Sequence, residues 1–167
     1  EQSRGQTALM WAVAQRHPDV VKTLVELGAD VHVRSNARPR RIHTRTAGFN
    51  PTGVIDTVQG GNTAMLFAAR LGNLDAARHL AAGGGDVNDT APMGTSALVV
   101  AAHSGHTAVA TFLLAEGADP NAAEAGYTAL HGATLRGDEV LAKALLARGA
   151  FFLFGTCQVR QNTAPER

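Results

Sequence analysis

Between Gly94 and Ala123 the apolar positions fall into two helix-length stripes separated by Gly105-His106. The first stripe carries Ala97, Leu98, Ala101 and Ala102 behind Ser96, and the second, Thr107 to Glu116, presents Val109, Phe112 and Leu113 at helical spacing. A serine or threonine hydroxyl at the start of a helix accepts a hydrogen bond from an otherwise unpaired first-turn amide. A glycine after the second stripe, here Gly117, suits a left-handed cap. The pattern predicts a helical hairpin, and it recurs. Thr7, Thr63, Ser96 and Thr128 are equivalent helix openers spaced 56, 33 and 32 residues apart. Gly5, Gly61, Gly94 and Gly126 stand two residues before them, and Ala8, Ala64, Ala97 and Ala129 follow directly. A period in this range predicts stacked repeats, and the wide first gap is one period plus an insertion of 23 residues. One hairpin cannot bury its apolar face alone, so the core is expected between neighbouring copies.

These positions, together with the closing Gly28-Ala29-Asp30, Gly84-Gly85-Asp86 and Gly117-Ala118-Asp119-x-Asn121, resemble the ankyrin repeat. The family signature reads Gly-x-Thr-Pro-Leu-His-x-Ala and then Gly-Ala-Asp-x-Asn. Alanine replaces the signature proline in every copy, and only His131 keeps the signature histidine. The copies span about residues 2–34, 58–90, 91–123 and 124–150, with 35–57 inserted, which gives a repeat domain over 1–150 and a tail over 151–167. The resemblance implies an all-α ankyrin-repeat solenoid of stacked helix-turn-helix units with β-hairpin fingers. It implies no enzyme, no cofactor and no metal, but a module that binds another protein through its finger tips and the groove along its inner helices. Carried onto this chain, the groove positions are Ala14, Gln15, Arg70, Leu71, His103, Ser104, Leu135 and Arg136. The finger tips are Arg34, Gln59, Asn62, Pro92, Met93, Thr95, Glu124 and Tyr127. These side chains differ between copies while the core positions repeat, and that contrast separates residues that specify the fold from residues free to specify a partner. By the same resemblance His131 bonds the backbone of an adjacent turn. Tyr127, at a finger tip, is expected to be an exposed interface anchor.

The insertion changes this picture. Arg34, Arg38, Arg40, Arg41 and Arg45 face a single acid, Asp56, a local charge of +4 in a chain whose net charge is +1. Pro39, Gly48, Pro51 and Gly53 exclude a helix, and Val54 to Val58 suits a short strand, so an extended finger with irregular arms is expected. Two readings stand: an arm for an acidic partner or for a polyanionic or phosphorylated ligand, or a solvated loop whose charges serve solubility. Nucleic acid is disfavoured, since binding it normally takes a wider basic surface with stacking aromatics.

Other candidates weigh less. His103, Ser104 and His106 cluster at a helix end, yet a zinc site needs three or four ligands, and a hydrolase would need an acid to orient the base. Gly-His here is the ordinary turn of the family, so hydrolysis by Ser104 ranks third. Trp11 is expected to pack into the core, with a binding anchor as the alternative. The second helix of repeat two, built on Ala76, Ala77, Leu80, Ala81 and Ala82, buries little area and is expected to be the weakest part of the stack.

Hydrophobic content of 45% with 5% aromatics suits a core of alanine, leucine and valine. Cys157 is the single cysteine, which excludes an internal disulfide and leaves the compartment unread. No apolar run reaches the roughly 20 residues that span a bilayer, so a soluble protein without a membrane partner is expected. A chain beginning at Glu1 without a leader suits a bacterial secreted or periplasmic product, and equally an excised fragment. Phe151 to Phe154 breaks the repeat pattern and reads either as an improvised cap on the open end or as a surface for self-association.

Overall fold

The computed structural model describes residues 4–44, 53–123 and 126–151, with 42–44 and 53–56 described as backbone only. Among the described residues eight helices come in four pairs: α1 (Ala8–Ala14) with α2 (Pro18–Glu26), α3 (Ala64–Leu71) with α4 (Leu74–Ala82), α5 (Ala97–Ser104) with α6 (Thr107–Ala115), and α7 (Ala129–Arg136) with α8 (Glu139–Ala147). Between the first two pairs stand β1 (Arg38–Thr44) and β2 (Gly53–Gln59).

The caps are those that the residue types dictate. The hydroxyls of Thr7, Thr63 and Ser96 accept from the amides of Met10, Leu66 and Val99. At the fourth inner helix the cap is reciprocal: Thr128 caps the helix while its own N–H donates to Nδ1 of His131 at 3.1 Å. His131 therefore closes its own helix. Asn73 and Asp138 cap the outer helices α4 and α8 through the amides of Ala76 and Leu141, and Pro18 opens α2, where its missing N–H costs nothing.

Inner helices end on a residue in the left-handed region, which a side chain disfavours. Glycine fills that place at Gly72, Gly105 and Gly137, but repeat one has Arg16 at φ 59°. Arg16 donates across the stack to the carbonyl of Leu71 at 2.9 Å. The same turn carries similar ties further along, from Arg136 Nε to the His103 carbonyl at 2.5 Å and between His106 Nε2 and the Arg70 carbonyl at 3.0 Å.

Packing runs along two rows. The inner helices touch in the order α1, α3, α5, α7 and the outer ones in the order α2, α4, α6, α8. Buried alanines at 64, 68, 69, 97, 101, 102, 129 and 133 let the inner row close up, while Leu80, Val109, Leu113, Leu141 and Leu145 fill the space beneath the outer row. The alanine-rich α4 meets α6 less closely than it meets α2, so the thinnest seam of the outer row lies where the small side chains are. Behind α4 and α6 an aspartate caps its own turn and an asparagine reaches the next copy. Asp86 and Asp119 each accept from the amide two residues on, Asn88 accepts from the Asp119 amide at 2.8 Å, and Asn121 accepts from the Phe151 amide at 3.1 Å. That last bond uses only the backbone of Phe151, which keeps the turn although the side chain has departed from the pattern. Phe151 is half exposed, and Phe152 to Phe154 lie outside the described residues.

Trp11 departs from expectation. Its side chain is 48% exposed, while Met10 and Val13 on either side are buried. It stands four residues after the helix opener, where Phe67 is half-buried and Val100 and Gly132 are buried, so the exposure belongs to repeat one and not to the position.

Candidate partner-binding groove

The insertion forms a regular antiparallel hairpin rather than a finger with irregular arms. Seven residue pairs match from Arg38 opposite Gln59 to Thr44 opposite Gly53, and Pro39 is tolerated because each strand of a two-stranded sheet is an edge. Side chains alternate between faces along a strand. Arg38 and Arg40 therefore share one face with their partners Gln59 and Thr57, and Arg41 lies on the other, opposite Asp56.

The base of the hairpin is fastened by a buried carboxylate. Asp89, 7% exposed, accepts from the Thr63 hydroxyl and from the Arg34 guanidinium. The other guanidinium nitrogen of Arg34 donates to the carbonyls of Gly61 at 3.0 Å and Thr90 at 2.8 Å. One arginine thus ties the end of repeat one to two successive fingers. Ser35 adds to the same base, its hydroxyl accepting from the Asn62 amide at 3.1 Å and its own amide donating to the Asn62 carbonyl at 3.0 Å. Arg34, assigned by the repeat pattern to a finger tip, spends its donors inside the protein.

Two hollows flank the hairpin on the inner-helix side. The larger, about 390 Å³, lies between the hairpin and the next finger. It gathers Gln59, Asn62, Arg70, Pro92, Met93, Thr95, His103, Ser104 and Tyr127, which the repeat pattern assigned to partner contact, together with Arg40 of the insertion. The smaller, about 290 Å³, has Arg38 in its wall and shares Gln59, Asn62 and Arg70 with the first. Gln15, Leu71, Leu135 and Arg136 line neither hollow; Leu135 is 78% exposed, and Leu71 and Arg136 take part in the turn ties through a carbonyl and a guanidinium. Arg45 and Glu124 lie outside the described residues.

The hollows also contain residues that the repeat pattern passed over. Phe67 lines the smaller one and Val100 the larger. Both occupy the position equivalent to Trp11 of repeat one, Phe67 half-buried and Val100 buried. A signal for them exists, since Trp11, Phe67, Val100 and Gly132 vary between copies while the alanine that follows each of them repeats. Tyr127 is half buried rather than projecting, with its ring 6.2 Å from that of His103 at a tilt of 56°. An aromatic pair of this geometry holds both rings in place.

The histidines offer little for hydrolysis. His106 is tied to the Arg70 carbonyl, with its ring beneath Gly72, where an added Cβ would come within 2.5 Å of Nδ1. His103 instead packs on Tyr127. Among the described residues no group of three or more histidine, cysteine, aspartate or glutamate side chains could hold a metal ion, and no helix is long and apolar enough to cross a membrane.

Charge divides by face. On the outer helices each lysine or arginine has an acid about one turn away: Lys22 with Glu26 at 3.9 Å, Arg78 with Asp75 at 3.6 Å, Lys143 with Glu139 at 2.6 Å. Among the described residues no aspartate or glutamate lines either hollow, and Arg38, Arg40 and Arg70 have no acid within ion-pair distance.

Family models of the ankyrin repeat match the chain over residues 4–36, and of ankyrin repeats in three copies over 47–124 and 65–154. The chain belongs to the ankyrin-repeat family. Ankyrin repeats are generally protein-interaction modules and typically non-enzymatic. No curated protein matches the chain. In this ankyrin stack the family's frame is kept at every helix opener, and the long hairpin is its principal addition.

Proposed function

We propose that the protein is a non-enzymatic binding module that docks another protein in the groove between the hairpin and the next finger. The observation that carries this reading is the convergence of nine non-repeating side chains and Arg40 on one hollow of about 390 Å³, although they come from three repeats and the insertion. Met93 is 50% exposed there and offers an apolar contact beside the half-buried Tyr127, the mixture of apolar anchors and polar rim that interfaces favour. A rigid stack loses little conformational entropy on docking, which favours affinity.

A photo-crosslinking residue placed at Met93 tests this in the cells that make the protein, against the same residue at Arg78 on the outer helix α4. The expected outcome is a discrete protein adduct from position 93 and none from position 78. Equal labelling at both positions, or none at either, contradicts the groove.

A further inference from the structure

The groove's charge says what its occupant carries. Resting on the docking reading above, we infer that the bound segment of the partner is acidic, with carboxylates among Arg38, Arg40 and Arg70 and a neighbouring apolar side chain against Met93 and Tyr127. Three observations carry this. The hairpin register puts Arg38 and Arg40 on one face, and both line the hollows that share Arg70 between them. No acid among the described residues lines these hollows, whereas the cations of the outer helices are each matched by a carboxylate on the same helix. Cations left without partners on one face form a local positive field that a complementary segment would neutralise, and such complementarity governs specificity and encounter rate.

The field is local, which favours a short peptide over a polyanion. The whole chain carries only +1, with acids on the outer helices at Asp19, Glu26, Asp75 and Glu139. A protein that tracks a nucleic-acid backbone spreads cations along a continuous path with aromatic platforms. Here Arg38, Arg40 and Arg70 meet at two adjacent hollows instead. Met93, Val58 and Pro92 beside them suit an aliphatic side chain better than a stacked base.

The probe is a labelled, end-blocked octapeptide of glutamates and leucines, followed by fluorescence anisotropy against the full chain, with its glutamine counterpart and a labelled octathymidylate as comparisons. Saturable binding of the glutamate peptide alone is expected, weakened about fivefold by Arg40→Gln and by Arg70→Gln, the effect of removing one exposed charge pair. Raising salt should weaken it further, since exposed charges are screened over about 10 Å at 0.1 M, and Arg78→Gln should leave it unchanged. Absent binding, equal binding of the glutamine peptide, tighter binding of octathymidylate, or an equal loss in Arg78→Gln would each overturn the inference. A protein adduct at Met93 together with an inert glutamate peptide would remove the acidic partner and leave the docking groove standing. Circular dichroism on each variant separates lost binding from lost folding.

Discussion

The two fingers that wall the groove grow from the same place in the repeat and differ in almost everything else. The first is a hairpin of seven residue pairs, and the second is a short turn closed by one bridge between Thr90 and Ser96. The long finger brings arginines to the groove and the short one brings Pro92, Met93 and Thr95. Both are held by one polar cluster, since Arg34 bonds the Gly61 carbonyl under the first, the Thr90 carbonyl under the second, and Asp89 between them. A long finger is therefore tolerated because its base, and not its length, is what the stack holds.

The sharpest way to break that comparison is Asp89→Ala. It strips the carboxylate from Thr63 and Arg34 at once and leaves their donors under both fingers. Breaking a buried ion pair costs about 3–5 kcal/mol, and with the Arg34 side chain 47% exposed the lower end, about 3 kcal/mol, is expected in urea unfolding. A loss below about 1 kcal/mol would mean that the cluster does not hold the fingers.

Making the long finger short is the second test. Joining Arg38 to Gln59 through an Asn-Gly turn removes the hairpin and keeps its base. Because loop-closure entropy changes slowly with length, stability should shift by no more than about 1 kcal/mol. The adduct formed from position 93 should be lost, since one wall of its hollow has gone.

A smaller effect separates this buried fastening from a half-buried one. Between repeats three and four the Thr107 hydroxyl donates to Asp138, whose pKa is held below its ordinary value chiefly by that bond and then by the Leu141 amide. A lowered folded-state pKa means that the contribution is present above the ordinary carboxylate value, near 4, and disappears as pH falls through the lower folded value. Asp138→Asn keeps a capping oxygen and should cost only about 0.5 kcal/mol at neutral pH, as for an exposed charge. The difference from the parent protein should shrink below about pH 4; a difference that grew with acidification would reverse the sign of this argument.

Met93→Ala should do least to the fold, within about 0.5 kcal/mol, as for surface substitutions generally. A large loss there would place Met93 among the residues that hold the stack.

The frame was legible because it is periodic. Thr7, Thr63, Ser96 and Thr128 open their helices within a residue of where their spacing places them, and Gly28, Gly84, Gly117 and Gly149 follow the outer helices in the left-handed region. What the period does not encode was not legible. The tie from Arg34 to Asp89 spans 55 residues and occurs once, so no repeat announces it. Which arginines face the groove depends on strand register, and a shift of one residue would exchange Arg40 for Arg41. The burial tendency of indoles points Trp11 into the core, yet it is half exposed while its equivalents Phe67 and Val100 are half-buried and buried, so the period does not encode its exposure. The groove and finger-tip residues of the larger hollow are marked individually by their failure to repeat, and Arg40 by the charge of the insertion; their meeting depends on the hairpin folding beside the second finger.

The central claim is that repeated residues hold the stack while the non-repeating ones between the two fingers take the partner. Backbone amide NMR of the labelled protein, titrated with the partner captured at position 93, tests it most directly. The account expects shifts concentrated at Arg38, Arg40, Gln59, Arg70, Thr95 and Tyr127, with α2, α4, α6 and α8 unmoved. Shifts concentrated on those outer helices, with the groove silent, would contradict it.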